Sequence, residues 1–215
     1  HPAKEDTMHL NFLGKSFDFP IWISSMTGGT EKAGKINKNL AKIADRFGLG
    51  MGLGSCRSLL FSDEYLKDFT VRKYIGDQAL YANLGIAQVE ELVQNKQLNK
   101  IAELIDKLEA DGLIIHINPL QEFIQPEGDK IKVNPLITTS EILEKLDLKI
   151  IVKEVGQGFG PASLKAMMQL PLEAIDFAAF GGTNFATLEL SRTSEMPRAQ
   201  YNSLAYVGQS ADEMI

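Results

Sequence analysis

Six short apolar segments, each followed by a loop of Gly, Ser, Thr or Asn and then by an amphipathic stretch of helical period, predict an α/β fold. The segments begin near residues 21, 50, 80, 112, 149 and 174, a mean spacing of about 31 residues, and a (β/α)8 barrel of ~250 residues allots about the same length to each unit. Polar residues or glycines follow every segment, as they do where all loops build one C-terminal face. Together these observations predict a TIM (β/α)8 barrel with strands 1 to 6 represented. A doubly wound open sheet is the competing architecture, which alternation alone does not separate. Because an unclosed barrel exposes two sheet edges, the last two strands, about 60 residues at this spacing, are expected to be missing from the 215. Residues 1–215 thus read as a single incomplete barrel domain, with 1–19 a polar, turn-like lead-in.

The elements follow in order. PIWISSMT (20–27) reads as the first strand, and Ile36, Leu40, Ile43 and Phe47 give the helix near 32–47 its apolar spacing. GLGMGLGS (48–55) is the second strand, followed by a charged helix near 63–74. ALYANLG (79–85) is the third, with helices near 86–94 and 98–110, the latter carrying Ile101, Leu104, Ile105 and Leu108. GLIIHIN (112–118) leads through a long loop to a helix near 139–146. KIIVKEV (149–155) leads to a helix near 162–169, started by Gly-Pro or Ser163. AIDFAAFGG (174–182) leads to a helical TNFATLELSR, and a last helix begins at Ser210.

At 215 residues and 44% hydrophobic content, the chain can bury one substantial core. Its formal charge of −6 argues against a nucleic-acid surface or a basic membrane patch, so an anionic ligand needs locally placed cations, amides or a metal. The single cysteine, Cys56, cannot form an internal disulfide, and no apolar run approaches the ~20 residues of a membrane span or resembles a signal peptide. A cytoplasmic protein is expected.

The richest chemistry lies in DGLIIHINPLQEFIQPEGD (111–129). Strand alternation puts Ile114, His116 and Asn118 on one face and Leu113, Ile115 and Ile117 on the other, so two polar heads leave an apolar strand together and need partners. Beyond Pro119 the loop presents Gln121, Glu122, Gln125, Glu127 and Asp129. A core histidine beside a solvated acidic loop is the plain alternative. Elsewhere, Ser25-Met26-Thr27-Gly28-Gly29 is either an ordinary turn or a place where amides approach a ligand. Gly50, Gly52 and Gly54 leave one strand face bare, for a flat ligand or for close packing. Arg57 offers a fork of donors suited to phosphate or carboxylate, or is a surface residue. Cys56 lacks a histidine partner in sequence and reads as a packing residue. Asn83 can pair with a planar heterocycle or serve a turn. Lys153, amid IIVKEV, needs an anionic or electron-rich partner inside, and Glu154 points to the other face. Gly181-Gly182-Thr183 offers amides and a hydroxyl, while Glu189 and Arg192 form a local ion pair. No G-x-G-x-x-G or P-loop opens a helix, and GQGFGP lacks the spacing.

In order along the chain, SSMTGGT, GMGLGSCR, YANLG, HINPLQEFIQPEGD, VKEVGQGFG and DFAAFGGTNFA resemble the flavin-dependent, type 2 isopentenyl-diphosphate isomerases, from about residue 10 to the C-terminus. The resemblance implies a TIM barrel that binds FMN, NADPH as the reductant, and Mg²⁺ helping to hold a substrate diphosphate. It implies flavin contacts at Ser25, Met26, Thr27, Ser55, Asn83, Lys153 and Thr183. Substrate contacts are implied at Ser55, Cys56, Arg57, His116, Asn118 and Gln121, with the metal at Glu122. Gln121 and His116 are the implied catalytic residues of a 1,3-allylic proton shift. Flavin-phosphate loops would follow strands 7 and 8; Ala178-Ala179-Phe180 stands where relatives place a hydroxyl or glycine, and Cys56 where they often have Gln. The bare glycine face would give the flavin ring room. Expected partners are a small-molecule diphosphate and further copies of the chain, with no nucleic acid and no membrane. The alternatives are another FMN barrel, of the hydroxy-acid oxidase or dihydroorotate dehydrogenase kind, and a barrel remnant that binds without catalysis.

Overall fold

The computed structural model describes residues 9–192 and 201–215; the first eight residues of the expected lead-in lie outside the described residues. One six-stranded sheet takes β3 (Trp22–Ile23), β4 (Gly50–Gly52), β5 (Leu80–Gly85), β6 (Gly112–His116), β7 (Ile150–Lys153) and β8 (Ala174–Asp176) in that order. The β3–β4, β4–β5 and β7–β8 pairings are parallel. An order that rises by one along the sheet is that of a (β/α)8 barrel, and it lacks the reversal a doubly wound sheet requires. All six expected strands are present. No described helix is long and apolar enough to cross a membrane. The chain divides into two compact units, His1–Leu84 with Gln97–Ile114, and Gly85–Lys96 with Ile115–Ile215.

The first unit opens on a hairpin that the sequence reading missed: β1 (Leu10–Phe12) pairs antiparallel with β2 (Lys15–Phe17). Its two-residue turn, Leu13-Gly14, has φ of 55° and 72°, the positive-φ pair that matches strand twist. Helix α1 (Glu31–Phe47) begins at Thr30, whose hydroxyl accepts the Ala33 N–H, and ends at left-handed Gly48. Its buried face corrects the expected stripe. Ile36, Ile43 and Phe47 are exposed, while Ala33, Gly34, Asn37, Ala41 and Ala44 are buried against α2 (Leu66–Phe69) and α3 (Arg72–Ile75). Small residues win that face because the backbones approach closely: a Cβ on Gly34 would lie 3.0 Å from the Asp68 Cα. The expected continuous helix over 63–74 is instead α2 and α3, preceded by a 3-10 turn at Arg57–Leu60. Thr70, at ψ 89°, breaks it so that Phe69, Val71 and Ile75 can all be fully buried. Each such side chain contributes about 1.5–3 kcal/mol of transfer free energy. Helix α5 (Asn99–Leu108) buries Ile101, Leu104, Ile105 and Leu108 as expected.

In the second unit, α4 (Ile86–Gln94) runs directly from the end of β5. Pro119 does more than stop β6: it opens α6 (Pro119–Ile124), where a loop was expected, because a proline at the first helical position gives up no needed N–H. Helix α7 (Pro135–Lys145) likewise starts earlier than expected, behind Asn134, whose side chain accepts the Leu136 N–H. After β7, the buried Glu154 carboxylate accepts N–H groups from Val155, Gly156, Gln157 and Gly158 at 2.6–3.0 Å, curling the chain ahead of α8 (Pro161–Met167). Burial pushes the Glu154 carboxyl up while the four amides pull it down, and the net direction is upward. Helix α9 (Phe185–Arg192), a 3-10 turn (Asn202–Tyr206) and α10 (Ala211–Met214), opened by a Ser210–Glu213 capping box, complete the described chain.

Candidate functional site

In the first unit, the ends of β3, β4 and β5 carry the residues singled out from sequence. The glycine face of β4 is not an open shelf. A Cβ on Gly50 would lie 2.3 Å from the Trp22 ring, one on Gly52 2.2 Å from Ser25 Oγ, and one on Gly54 2.5 Å from the Thr27 backbone. The glycines are there so that the preceding strand and its loop can press onto β4, which corrects the reading of the face as room for a ligand. Gly54 N–H donates to the Thr27 carbonyl at 3.0 Å. Thr27 is held from α1 as well: its hydroxyl donates to Asn37 Oδ1, and Asn37 Nδ2 donates to the carbonyls of Thr27 (3.3 Å) and Asp68 (3.0 Å). Ser25 Oγ is buried without a hydrogen-bond partner. Met26 is half exposed, and Ser55 and Arg57 are exposed. Cys56 N–H donates to the Asn83 carbonyl at 2.7 Å, joining the ends of β4 and β5, with Asn83 buried. The Cys56 thiol turns inward to the Gly54 carbonyl, and burial pushes it up to about 12, so it is no nucleophile.

In the second unit, Asn118 is the hub. It is 2% exposed, and its Nδ2 donates to Gln121 Oε1 at 3.1 Å and to Glu122 Oε1 at 2.9 Å. Its Oδ1 is buried and has no hydrogen-bond partner. One turn of α6 therefore gathers Gln121 and Glu122 onto the end of β6, as the alternation argument expected. Glu122 Oε2 accepts the Asp129 N–H at 2.6 Å. Gln121 Nε2 donates to Glu189 Oε1 at 3.3 Å, and Glu189, itself buried, holds Arg192 at 2.8 Å. The expected Glu189–Arg192 pair is present, but the reach of Glu189 to Gln121 was missed. The available signal was a carboxylate on the same helix face as Ala186 and Leu190.

Lys153 finds its anion on the neighbouring strand. Its ammonium is 3.0 Å from Asp176 Oδ2, and the two residues stand opposite in the β7–β8 register. Asp176 was not anticipated, although both charges occupy the third position of their paired segments. Partial burial first, and the Lys153 ammonium second, bring the His116 imidazole down to about 4, so the ring is neutral at physiological pH. Thr183 is exposed, and neither Gly181 nor Gly182 would meet any atom within 4 Å if it carried a Cβ. Ala178 sits at φ 38°, the left-handed region that favours glycine. Among the described residues, no group of three or more His, Cys, Asp or Glu forms a preassembled metal cage.

No family model matches the chain. Among curated proteins it is similar to isopentenyl-diphosphate delta-isomerases. The Nostoc protein is 43% identical over 181 residues, 84% of this chain and 51% of that protein. The Rickettsia felis protein is 41% identical over 183 residues, 85% and 52% of the two chains, and the Rickettsia prowazekii protein 42% over 181 residues, 84% and 52%. The chain spans about half the length of the curated relatives it matches. Among solved structures, an old yellow enzyme homologue from Zymomonas mobilis superposes with a TM-score of 0.52 at 12% identity, covering 79% of this chain and 72% of that one. That likeness is one of fold.

Proposed function

We propose that the chain supplies six of the eight strands of a (β/α)8 barrel and acts as an FMN-dependent isopentenyl-diphosphate isomerase, interconverting isopentenyl and dimethylallyl diphosphate. The observation that carries the reading is the Asn118–Gln121–Glu122–Glu189 cluster at the end of β6, in a chain 41–43% identical to proteins of that name. The residues fit a flavin and a metal-bound diphosphate. Ser25 Oγ and Asn118 Oδ1 are buried acceptors without partners, Gly181 and Gly182 leave the backbone open, and Lys153 is a buried cation.

Bound FMN, kept reduced by NADPH, supplies an electron-rich ring that stabilises positive charge developing on the allyl group. The chain's own residues do the rest. Ser25, Met26, Thr27, Ser55, Asn83, Lys153 and Thr183 bind the cofactor, the Lys153 ammonium favouring electron density nearby. Glu122 offers a hard carboxylate to Mg²⁺, which ties the diphosphate down. Ser55 and Arg57 donate to the substrate, and Cys56 and Asn118 line it, Asn118 through its unpartnered Oδ1 acceptor. Neutral His116 contributes hydrogen bonds rather than charge. The proton shift adds a proton at the terminal methylene and removes one two carbons away, without net redox change. An amide is too weak an acid to drive this alone. Gln121, pinned between Asn118 and Glu189, orients or relays the proton.

The test is the anaerobically reduced, FMN-loaded chain with isopentenyl diphosphate and Mg²⁺, followed by proton NMR. Appearance of dimethylallyl diphosphate without stoichiometric flavin oxidation supports the isomerase; substrate loss coupled to flavin oxidation selects an oxidoreductase, and no conversion selects a binding remnant. Gln121→Ala should cut turnover while flavin binding stays intact, and unchanged turnover removes Gln121 from the mechanism.

A further inference from the structure

Gln88 stands on the third residue of α4 and is 6% exposed. A polar side chain so buried needs both ends satisfied. Its Nε2 donates to Asp129 Oδ2 at 2.8 Å. Its Oε1 lies over the end of β5: a Cβ added to Gly85 would sit 2.4 Å from Gln88 Oε1 and 2.9 Å from His116 Nε2. Glycine at 85 is therefore what lets the amide and the imidazole approach the same point. Asp129, at the other end of Gln88, passes its own N–H to Glu122 Oε2.

The loop between α6 and α7 is tied to α4 at two points. Glu90, two residues beyond Gln88 and equally buried, accepts the N–H groups of Lys132 and Val133 at 3.0 and 3.1 Å. Gln88 grips the loop at Asp129. Between these two holds and α6 the chain is pressed flat, so that a Cβ on Gly128 would stand 1.9 Å from the Glu122 carbonyl oxygen. The loop thereby becomes a fixed surface behind the Glu122 carboxylate.

We propose that Gln88 is a positioning residue for the diphosphate–metal site, setting the Glu122 carboxylate through Asp129 and lying beside His116 at its other end. The inference rests on the proposed function, since it takes Glu122 to be the metal-bearing residue. Ligand-supporting hydrogen bonds of this kind are worth about 10- to 100-fold in metal affinity. Carboxylate rotamers left free by the loss of such a bond must be ordered again when the metal arrives.

The experiment is calorimetric titration of Mg²⁺ into the FMN-loaded full chain with isopentenyl diphosphate present, alongside flavin affinity and thermal unfolding. Gln88→Leu should raise the Mg²⁺ concentration for half-saturation by about 10-fold while flavin affinity holds. A merely structural role would lower Tm and leave the metal titration where it was, and that result overturns the proposal. Asp129 supplies the second arm, independent of whether Gln88→Leu folds. Asp129→Asn keeps an acceptor for Gln88 and should titrate like the parent, while Asp129→Ala should show the shifted titration. Equal titrations for the two Asp129 variants also overturn it. If the parent chain itself takes up no Mg²⁺ with the diphosphate, the functional reading fails, a result distinct from either.

Discussion

The Lys153–Asp176 pair gives a quantitative prediction because its two partners are unequally buried. The lysine side chain is 8% exposed and the aspartate side chain 32%, with 3.0 Å between Nζ and Oδ2. Asp176→Asn strips the counter-ion from an ammonium that water barely reaches. Breaking a fully buried pair this way costs about 3–5 kcal/mol, and the exposed third of Asp176 screens part of that, leaving about 2–3 kcal/mol. Lys153→Met removes the buried charge itself. The carboxylate left behind keeps its bond from the Ala178 N–H at 3.0 Å and its access to solvent, so the expected loss is about 0–1 kcal/mol. The double variant should resemble Lys153→Met alone, a coupling of about 2 kcal/mol. Urea unfolding followed by circular dichroism, with slopes compared to confirm a common transition, measures all three. The reasoning is refuted if Lys153→Met proves as destabilising as Asp176→Asn, or if the two losses simply add.

Three more outcomes follow from the geometry. Between about pH 6.5 and 4 the unfolded chain protonates His116 while the folded chain resists, so stability should be retained above that window. It should fall as pH drops through the window, by roughly 3 kcal/mol in all. His116→Gln should flatten that part of a pH series of urea midpoints. Gly54→Ala drives a methyl into the Thr27 backbone, whereas Gly52→Ala meets side-chain ends at Ser25 and Ile114, so Gly54→Ala should lose more stability, by about 1–3 kcal/mol at the least. Equal midpoints for the two would show that the strands part without resistance. Asn37→Ala takes the amide donor from the Asp68 carbonyl and the acceptor from the Thr27 hydroxyl, while the Thr27 carbonyl keeps the Gly54 N–H, and should cost about 1–3 kcal/mol, detectable as a drop in Tm of several degrees.

Much of the scaffold was legible because periodicity is a local property. Strand starts near 21, 50, 80, 112, 149 and 174 match β3 to β8, and the helix near 86–94 was read with the bounds it has. Asn118, Gln121 and Glu122 were expected to converge on one strand end, and they do, because alternation and a following turn fix their directions within a few residues. The failures were failures of partner identity. The stripe of Ile36, Ile43 and Phe47 is a genuine helical pattern, yet α1 buries its alanines, since what decides a buried face is how closely α2 and α3 approach. The glycines of β4 were visible, but not that Trp22, Ser25 and Thr27 fill the space they leave.

The sequence by itself determined the α/β alternation, the strand starts and the residue types at the strand ends, because these depend on neighbours within about one turn or one pleat of each other. Only the tertiary structure decided that Lys153 answers to Asp176, Gln121 to Glu189, and Glu122, through Asp129, to Gln88. Those pairings join residues between 23 and 68 positions apart along the chain, except where α6 folds back on itself. A single linear sequence contains no term linking such distances; the hydrogen-bond register of the sheet and the burial that surrounds it supply that term.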